Sequence, residues 1–182
     1  MGRRNAFKLD VVSIRMVRDS PIYSDKKIEN PESAVALIGE VLRDMDREIV
    51  CVINLKTNGV PINCTFASMG ALNYAVANPR EILKSSILSN AANIILVHNH
   101  PSGKLVPSKA DVSMTQRLQL VCEMVDIPLL DHIIVGGDNR EYFSFREGAM
   151  LQKPNLSLVS DYKDLDWGEK ENGIAGKGKG YR

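Results

Sequence analysis

The fold class predicted by this sequence is α/β: a mixed β-sheet flanked by helices. Three observations predict it. Three segments carry apolar residues at helical spacing, and each opens on a helix-start signal. Between them lie short runs rich in Val and Ile, the mark of buried strands. Two turn signals, Asn58-Gly59 and Gly136-Gly137-Asp138-Asn139, separate neighbouring strand patterns. The predicted order is strand, helix, hairpin, helix, strand, helix, hairpin.

Each element has its own reason. Residues 8–18 (KLDVVSIRMVR) are β-branched and partly alternating, which predicts an edge strand or packing arm. Ser20-Pro21 breaks it. Asn30-Pro31-Glu32 starts a helix, with Asn as cap, Pro at the first position and an acid in the first turn. Ala34, Leu37, Ile38, Val41, Leu42 and Met45 form its apolar stripe. Glu48 precedes Ile49–Leu55, a run too continuously apolar for a surface strand. Asn58-Gly59 predicts a two-residue hairpin loop, and Val60–Ala67 the returning strand. Asn78-Pro79 repeats the helix start, with Ile82, Leu83, Ile87 and Leu88 behind it. Asn93–Val97 reads as a buried strand. Ser108 opens the third helix, carried by Val112, Leu118, Val121, Met124 and Val125 until Pro128 stops it. Asp131–Val135 and Glu141–Phe145 are the last two strands. The predicted organisation is an N-terminal arm over 1–29, one domain over 30–150, and a partly disordered tail over 151–182 that ends Gly/Lys-rich.

Composition narrows the function classes. The chain has 182 residues, 44% of them hydrophobic, enough for a core without disulfides or structural metal. The 23 basic and 22 acidic residues give a net charge of +1, which argues against a nucleic-acid partner on bulk charge. Cys51, Cys64 and Cys122 are scattered and show neither zinc-finger nor disulfide spacing, so they read as small buried hydrophobes in a reducing compartment. No run approaches the ~20 apolar residues of a membrane helix. The start has no apolar signal-peptide core, and Ala6 stands where a myristoylation signal wants Ser or Thr. A cytoplasmic protein is the expectation.

The chemistry concentrates at the end of the third predicted strand. His98 and His100 are two of the three histidines in the chain, and side chains two apart on an extended segment point the same way. A Pro/Gly/Ser loop follows, and Asp111 then falls in the first turn of the next helix. Two imidazoles and a carboxylate make a three-ligand set for Zn²⁺ with a fourth position for water. Ser108 and Asp111 also read as a capping box with Asp in place of Glu. Cap and ligand are compatible. His132 reads as a structural histidine at a strand start, with a further ligand or a partner of the ligands as the other readings. Asn99 and Ser102 are expected to orient the loop by hydrogen bonds. Trp167 reads as a tail anchor ahead of a solvated end.

Glu48, His98-x-His100-Pro101, the stretch from Pro101 to Pro107, and Ser108-x-x-Asp111 together resemble the JAMM motif of the JAB/MPN metalloprotease superfamily. The surrounding words NPREILKSSILSNAANIILVHNHPSG, PSKADV and DIPLLDHIIVGG are similar to the JAB domain of bacterial RadC-like proteins. The resemblance covers roughly residues 30–147 and implies the JAB/MPN (cytidine deaminase-like) fold. It implies zinc held by His98, His100 and Asp111, Glu48 as general acid–base, and Ser108 as a stabiliser of the oxyanion. It implies hydrolysis of a peptide or isopeptide bond. The RadC name also suggests a DNA-repair-associated role, and the superfamily includes non-catalytic interaction proteins. Lys104-Leu105-Val106 departs from the more acidic loop usual in RadC proteins, which bears on substrate contacts. The stretch before the match is too short for the helix-hairpin-helix DNA-binding segment many RadC proteins carry. A peptide or protein substrate without direct DNA binding is therefore expected.

Overall fold

The computed structural model describes residues 11, 13–43, 45–69, 78–136 and 141–151. Its helices are α1 (Pro31–Arg43), α2 (Pro79–Leu88) and α3 (Lys109–Met124). Its strands are β1 (Ile49–Leu55), β2 (Pro61–Met69), β3 (Asn93–Asn99), β4 (Leu129–Val135) and β5 (Tyr142–Ser144). The strands make one sheet in the order β2-β1-β3-β4-β5. β3 and β4 run parallel across the α3 connection, and the other neighbours are antiparallel. This is the mixed-sheet α/β class that the sequence predicts.

Strand alternation sorts the core into two layers. Ile49, Cys51, Ile53 and Leu55 of β1 turn toward α1, where they meet Ala34, Ile38 and Leu42. Ile95 and Val97 of β3 and Ile133 and Val135 of β4 join them. Val50, Val52, Ile94 and Leu96 turn the other way, against Ile82 and Leu83 of α2 and Leu118 and Cys122 of α3. β1 and β3 are thus covered on both faces, which is why their sequences are continuously apolar rather than alternating. Each fully buried Ile or Leu among them is worth about 1.5–3 kcal/mol of burial. Cys51 and Cys122 are buried and Cys64 half-buried, and none is in a disulfide.

Local signals set the helix starts. The Asn30 side chain accepts from the Ser33 N–H at 2.9 Å, and the Asn78 side chain from the Arg80 N–H at 3.1 Å. Both helices then begin on proline, whose missing N–H costs nothing there. α1 ends at Arg43, short of Met45. Asp126, at φ 56°, follows α3 just before Pro128.

Four readings are corrected. Residues 13–18 carry no strand, and Ile14 and Val17 are exposed, because no strand among the described residues offers them a ladder; residues 8–10 and 12 lie outside the described residues. The Asn58-Gly59 hairpin closes with a three-residue loop. Lys56 N–H donates to Val60 O at 2.9 Å and Gly59 N–H to Lys56 O at 3.0 Å. Only Gly59 in this loop has a positive φ, +77°, whereas the two-residue turn would need Asn58 there as well. β4 begins at Leu129, two residues early, paired there with Ile94. β5 is limited to Tyr142–Ser144. Gly137–Asn139, Trp167 and the tail from 152 onward lie outside the described residues. Among the described residues no helix is long and apolar enough to cross a membrane.

Candidate metal centre

The register of the two central strands builds the site. β1 and β3 pair antiparallel with Val50 opposite His98. Stepping two residues outward on each strand brings Glu48 and His100 to the same end of the sheet. All lie on the even-numbered face, the one covered by α2 and α3. β3 then passes through the Pro/Gly/Ser loop into α3, whose first turn returns Asp111 over that end.

Glu48, His98, His100 and Asp111 converge, with one ligand atom from each within 4.8 Å of all the others. His98 Nε2 is 2.9 Å from His100 Nε2 and 3.5 Å from Asp111 Oδ1. His100 Nε2 is 3.6 Å from Asp111 Oδ2. Tetrahedral ligands at zinc distances stand about 3.3 Å apart; the imidazole pair is close to that, and each imidazole is close to it from one of the two Asp111 oxygens. Glu48 Oε1 stands farther off, 3.9 Å from His98 Nε2, and its side chain is 34% exposed against 9% for Asp111.

Residues 28–150 match the RadC-like JAB domain family, more than half of the chain. The chain belongs to that family. It is 40% identical over 129 residues to a UPF0758 protein of Clostridium acetobutylicum, covering 71% of this chain and 56% of that one. A UPF0758 protein of Desulforamulus reducens is 44% identical over 113 residues, 62% of this chain and 49% of its own length. The chain spans about half the length of the curated relatives it matches.

In this RadC-like JAB domain His98, His100 and Asp111 are each held by a further contact. The His100 Nδ1–H donates to the Lys104 carbonyl at 2.5 Å, which turns Nε2 toward the cluster. Ser108 caps α3: its Oγ accepts from the Asp111 N–H at 3.1 Å, and its own N–H donates to Asp111 Oδ2 at 2.6 Å. The capping box and the presentation of Asp111 are therefore one structure, and among the described residues the Ser108 hydroxyl proton has no acceptor. Asn99 holds the backbone on either side of Glu48. Its Oδ1 accepts from the Ile49 N–H at 2.8 Å, and its Nδ2 donates to the Arg47 carbonyl at 3.0 Å. Glu48, His100 and Ser108 line one open cavity of about 440 Å³, together with Arg47, Ser102 and Lys104.

The electrostatics suit cation binding. Burial pushes His98 down to about 4, with Asp111 opposing and His100 adding, so the ring is neutral at pH 7. Hydrogen bonding to Asp111 raises His100 against the effect of its burial, and the Lys104 carbonyl and Glu48 add to the rise. Burial resists ionisation of Asp111, but His100, His98 and Ser108 outweigh it and hold the carboxyl below the usual range. Burial raises Glu48, which His100 counters and the Asp111 charge reinforces.

His132 is fully buried in β4, with Nε2 2.7 Å from His98 Nδ1. It touches His98 from behind and is not one of the four residues whose ligand atoms converge. Thr115, which touches its other nitrogen, and Arg47, on the cavity wall, were not singled out by the sequence. Thr115 carries a signal in retrospect, since it follows Asp111 by one helical turn.

Proposed function

We propose that this domain is a zinc-dependent hydrolase of the JAMM type that cleaves a peptide or isopeptide bond. The observation that carries the reading is the convergence of Glu48, His98, His100 and Asp111 on one point at the wall of an open cavity. His98, His100 and Asp111 would hold the ion, because their separations suit a tetrahedral zinc and their nitrogens and oxygens suit its chemistry. Zinc bound there would supply Lewis acidity and lower the pKa of water to ~7.

The protein's own groups do the rest. Glu48, more exposed than Asp111 and with its proton affinity raised by burial, takes a proton from the attacking water and passes it to the departing amine. The Ser108 O–H, free beyond its capping role, donates to the oxygen that gains charge as the carbonyl is attacked. The open cavity admits a chain segment. A peptide or protein substrate in the cytoplasm follows, with no direct DNA contact, in keeping with the net charge of +1. A purely scaffolding role would leave the complete set of acid, imidazole and carboxylate groups without use.

Glu48→Gln tests the assignment. Hydrolysis of a peptide library should fall by roughly 10²–10⁴, the worth of a general base, with zinc content at the wild-type level. Loss of zinc together with activity would make Glu48 a ligand and refute its role as the base.

A further inference from the structure

The route by which His98 is fixed lies behind the site, in a chain of buried contacts. Thr115 Oγ1 is 2.6 Å from the backbone carbonyl of Asp111 and 2.6 Å from His132 Nδ1. His132 Nε2 is 2.7 Å from His98 Nδ1. Thr115 is 1% exposed, His132 0% and His98 1%, so solvent does not compete for these groups. His132 is also held in orientation. Its ring stacks on Phe145 at 4.6 Å and 13°, its backbone N–H donates to Asp131 Oδ1 at 2.7 Å, and its backbone carbonyl accepts from the Phe145 N–H at 2.9 Å.

Only one direction of proton donation satisfies all three contacts. A carbonyl oxygen has no hydrogen, so the single Thr115 hydroxyl proton must lie between Thr115 and Asp111. Thr115 Oγ1 is then an acceptor toward His132, and the His132 proton is on Nδ1. That leaves His132 Nε2 bare, and it accepts from the His98 Nδ1–H. His98 Nε2 is left with a lone pair, as is the Nε2 of a neutral His100, whose Nδ1–H goes to the Lys104 carbonyl; the two stand 2.9 Å apart, a contact that a shared cation or a second proton on His100 satisfies. The opposite direction would place a proton on His98 Nε2 and set two oxygens against each other at 2.6 Å.

From this geometry we infer that His132 and Thr115 are positioning residues that fix His98 in the Nδ1–H tautomer, with Nε2 bare toward the metal centre. The helix that supplies Asp111 thereby also sets the tautomer of the histidine on the neighbouring strand. An imidazole partner backed by a threonine takes the place that a carboxylate or carbonyl commonly fills behind a zinc-bound histidine. The inference rests on the metal-site reading for its purpose and on the hydrogen bonds alone for its content.

Two measurements on the full chain test it. The first is long-range ¹H–¹⁵N correlation of the histidine rings in metal-free protein. His98 and His132 should each be protonated at Nδ1 and bare at Nε2. A proton on Nε2 of either ring overturns the inference, whether or not the protein binds zinc. The second is zinc titration of Thr115→Val, which keeps the shape and removes the hydroxyl, beside Thr115→Ser, which restores it. Thr115→Val should bind zinc 10–100-fold more weakly and lose the single His98 tautomer, and Thr115→Ser should recover both. Equal zinc affinity and unchanged tautomers in Thr115→Val would overturn it. Should Thr115→Val not fold, or wild type take up no zinc, the ring spectra of wild type still decide.

Discussion

Two buried neutral histidines, His98 in the site and His132 behind it, make the metal-free protein sensitive to mild acid. His98 is pushed down to about 4, first by burial, against about 6.5 in the unfolded chain. Between those values the unfolded chain binds more protons than the native one, so stability rises with pH. The contribution of His98 is therefore fully present above about 6.5 and is lost as the pH falls toward and through about 4. At pH 5, well below the unfolded value and above the folded one, this amounts to about 2 kcal/mol. His132, lowered by burial and by His98, adds in the same direction. His100 is raised, so its contribution is complete below about 6.5 and fades only as the pH rises through its folded value. The window from pH 6.5 to 5 thus isolates the buried pair from it. Glu48 and Asp131, both raised by burial, act in the opposite sense, and a His98→Gln comparison removes their share. Urea unfolding of EDTA-treated protein should show the wild-type midpoint falling by on the order of 1 M across this window, and His98→Gln losing about 2 kcal/mol of that pH dependence. Equal pH dependence in the two proteins would refute the reasoning.

Gly59→Ala should cost about 2 kcal/mol, because its φ is +77° and the new Cβ would meet the Ile28 carbonyl oxygen at 2.8 Å; an unchanged urea midpoint would contradict this. Asn99→Ala leaves the Ile49 N–H and the Arg47 carbonyl without their partner, a loss of about 1–3 kcal/mol. It should also depress hydrolysis by freeing Glu48 while zinc stoichiometry stays intact, and undiminished turnover would count against that clamp. Duplex DNA should bind weakly at physiological salt, no tighter than about 10⁻⁶ M. An anisotropy titration giving 10⁻⁸ M or better would favour a DNA-associated role instead.

What was legible in the sequence was local or strongly periodic. Asn30-Pro31, Asn78-Pro79 and Ser108 mark their helices because capping is a contact between residues two or three apart. β1 and β3 are continuously apolar because both their faces are covered. The segment at 13–18 looked like a strand because its residue types suit one, but a strand also needs a partner, and its pattern does not encode one. The buried face of α3 differs in part from the apolar stripe that the sequence predicts. Met124 and Val125 are exposed, while Asp111, Thr115, Leu118 and Cys122 face inward. Thr115 is buried for a hydrogen bond rather than for apolar contact, so hydrophobic periodicity does not register it. The partnership of His132 with His98 depends on the parallel pairing of β4 beside β3, a contact across 34 positions. Convergence of Glu48 on the histidines likewise comes from the β1–β3 register, which only the family resemblance anticipated.

X-ray absorption at the zinc edge of the metal-loaded protein addresses the central claim, that His98, His100 and Asp111 hold one zinc. The loaded protein should carry about one zinc per chain, with scattering from two imidazole rings, nitrogen and oxygen donors near ~2.0–2.2 Å and no sulfur. A chain that takes up no zinc, or a zinc with sulfur at ~2.3 Å, would contradict it.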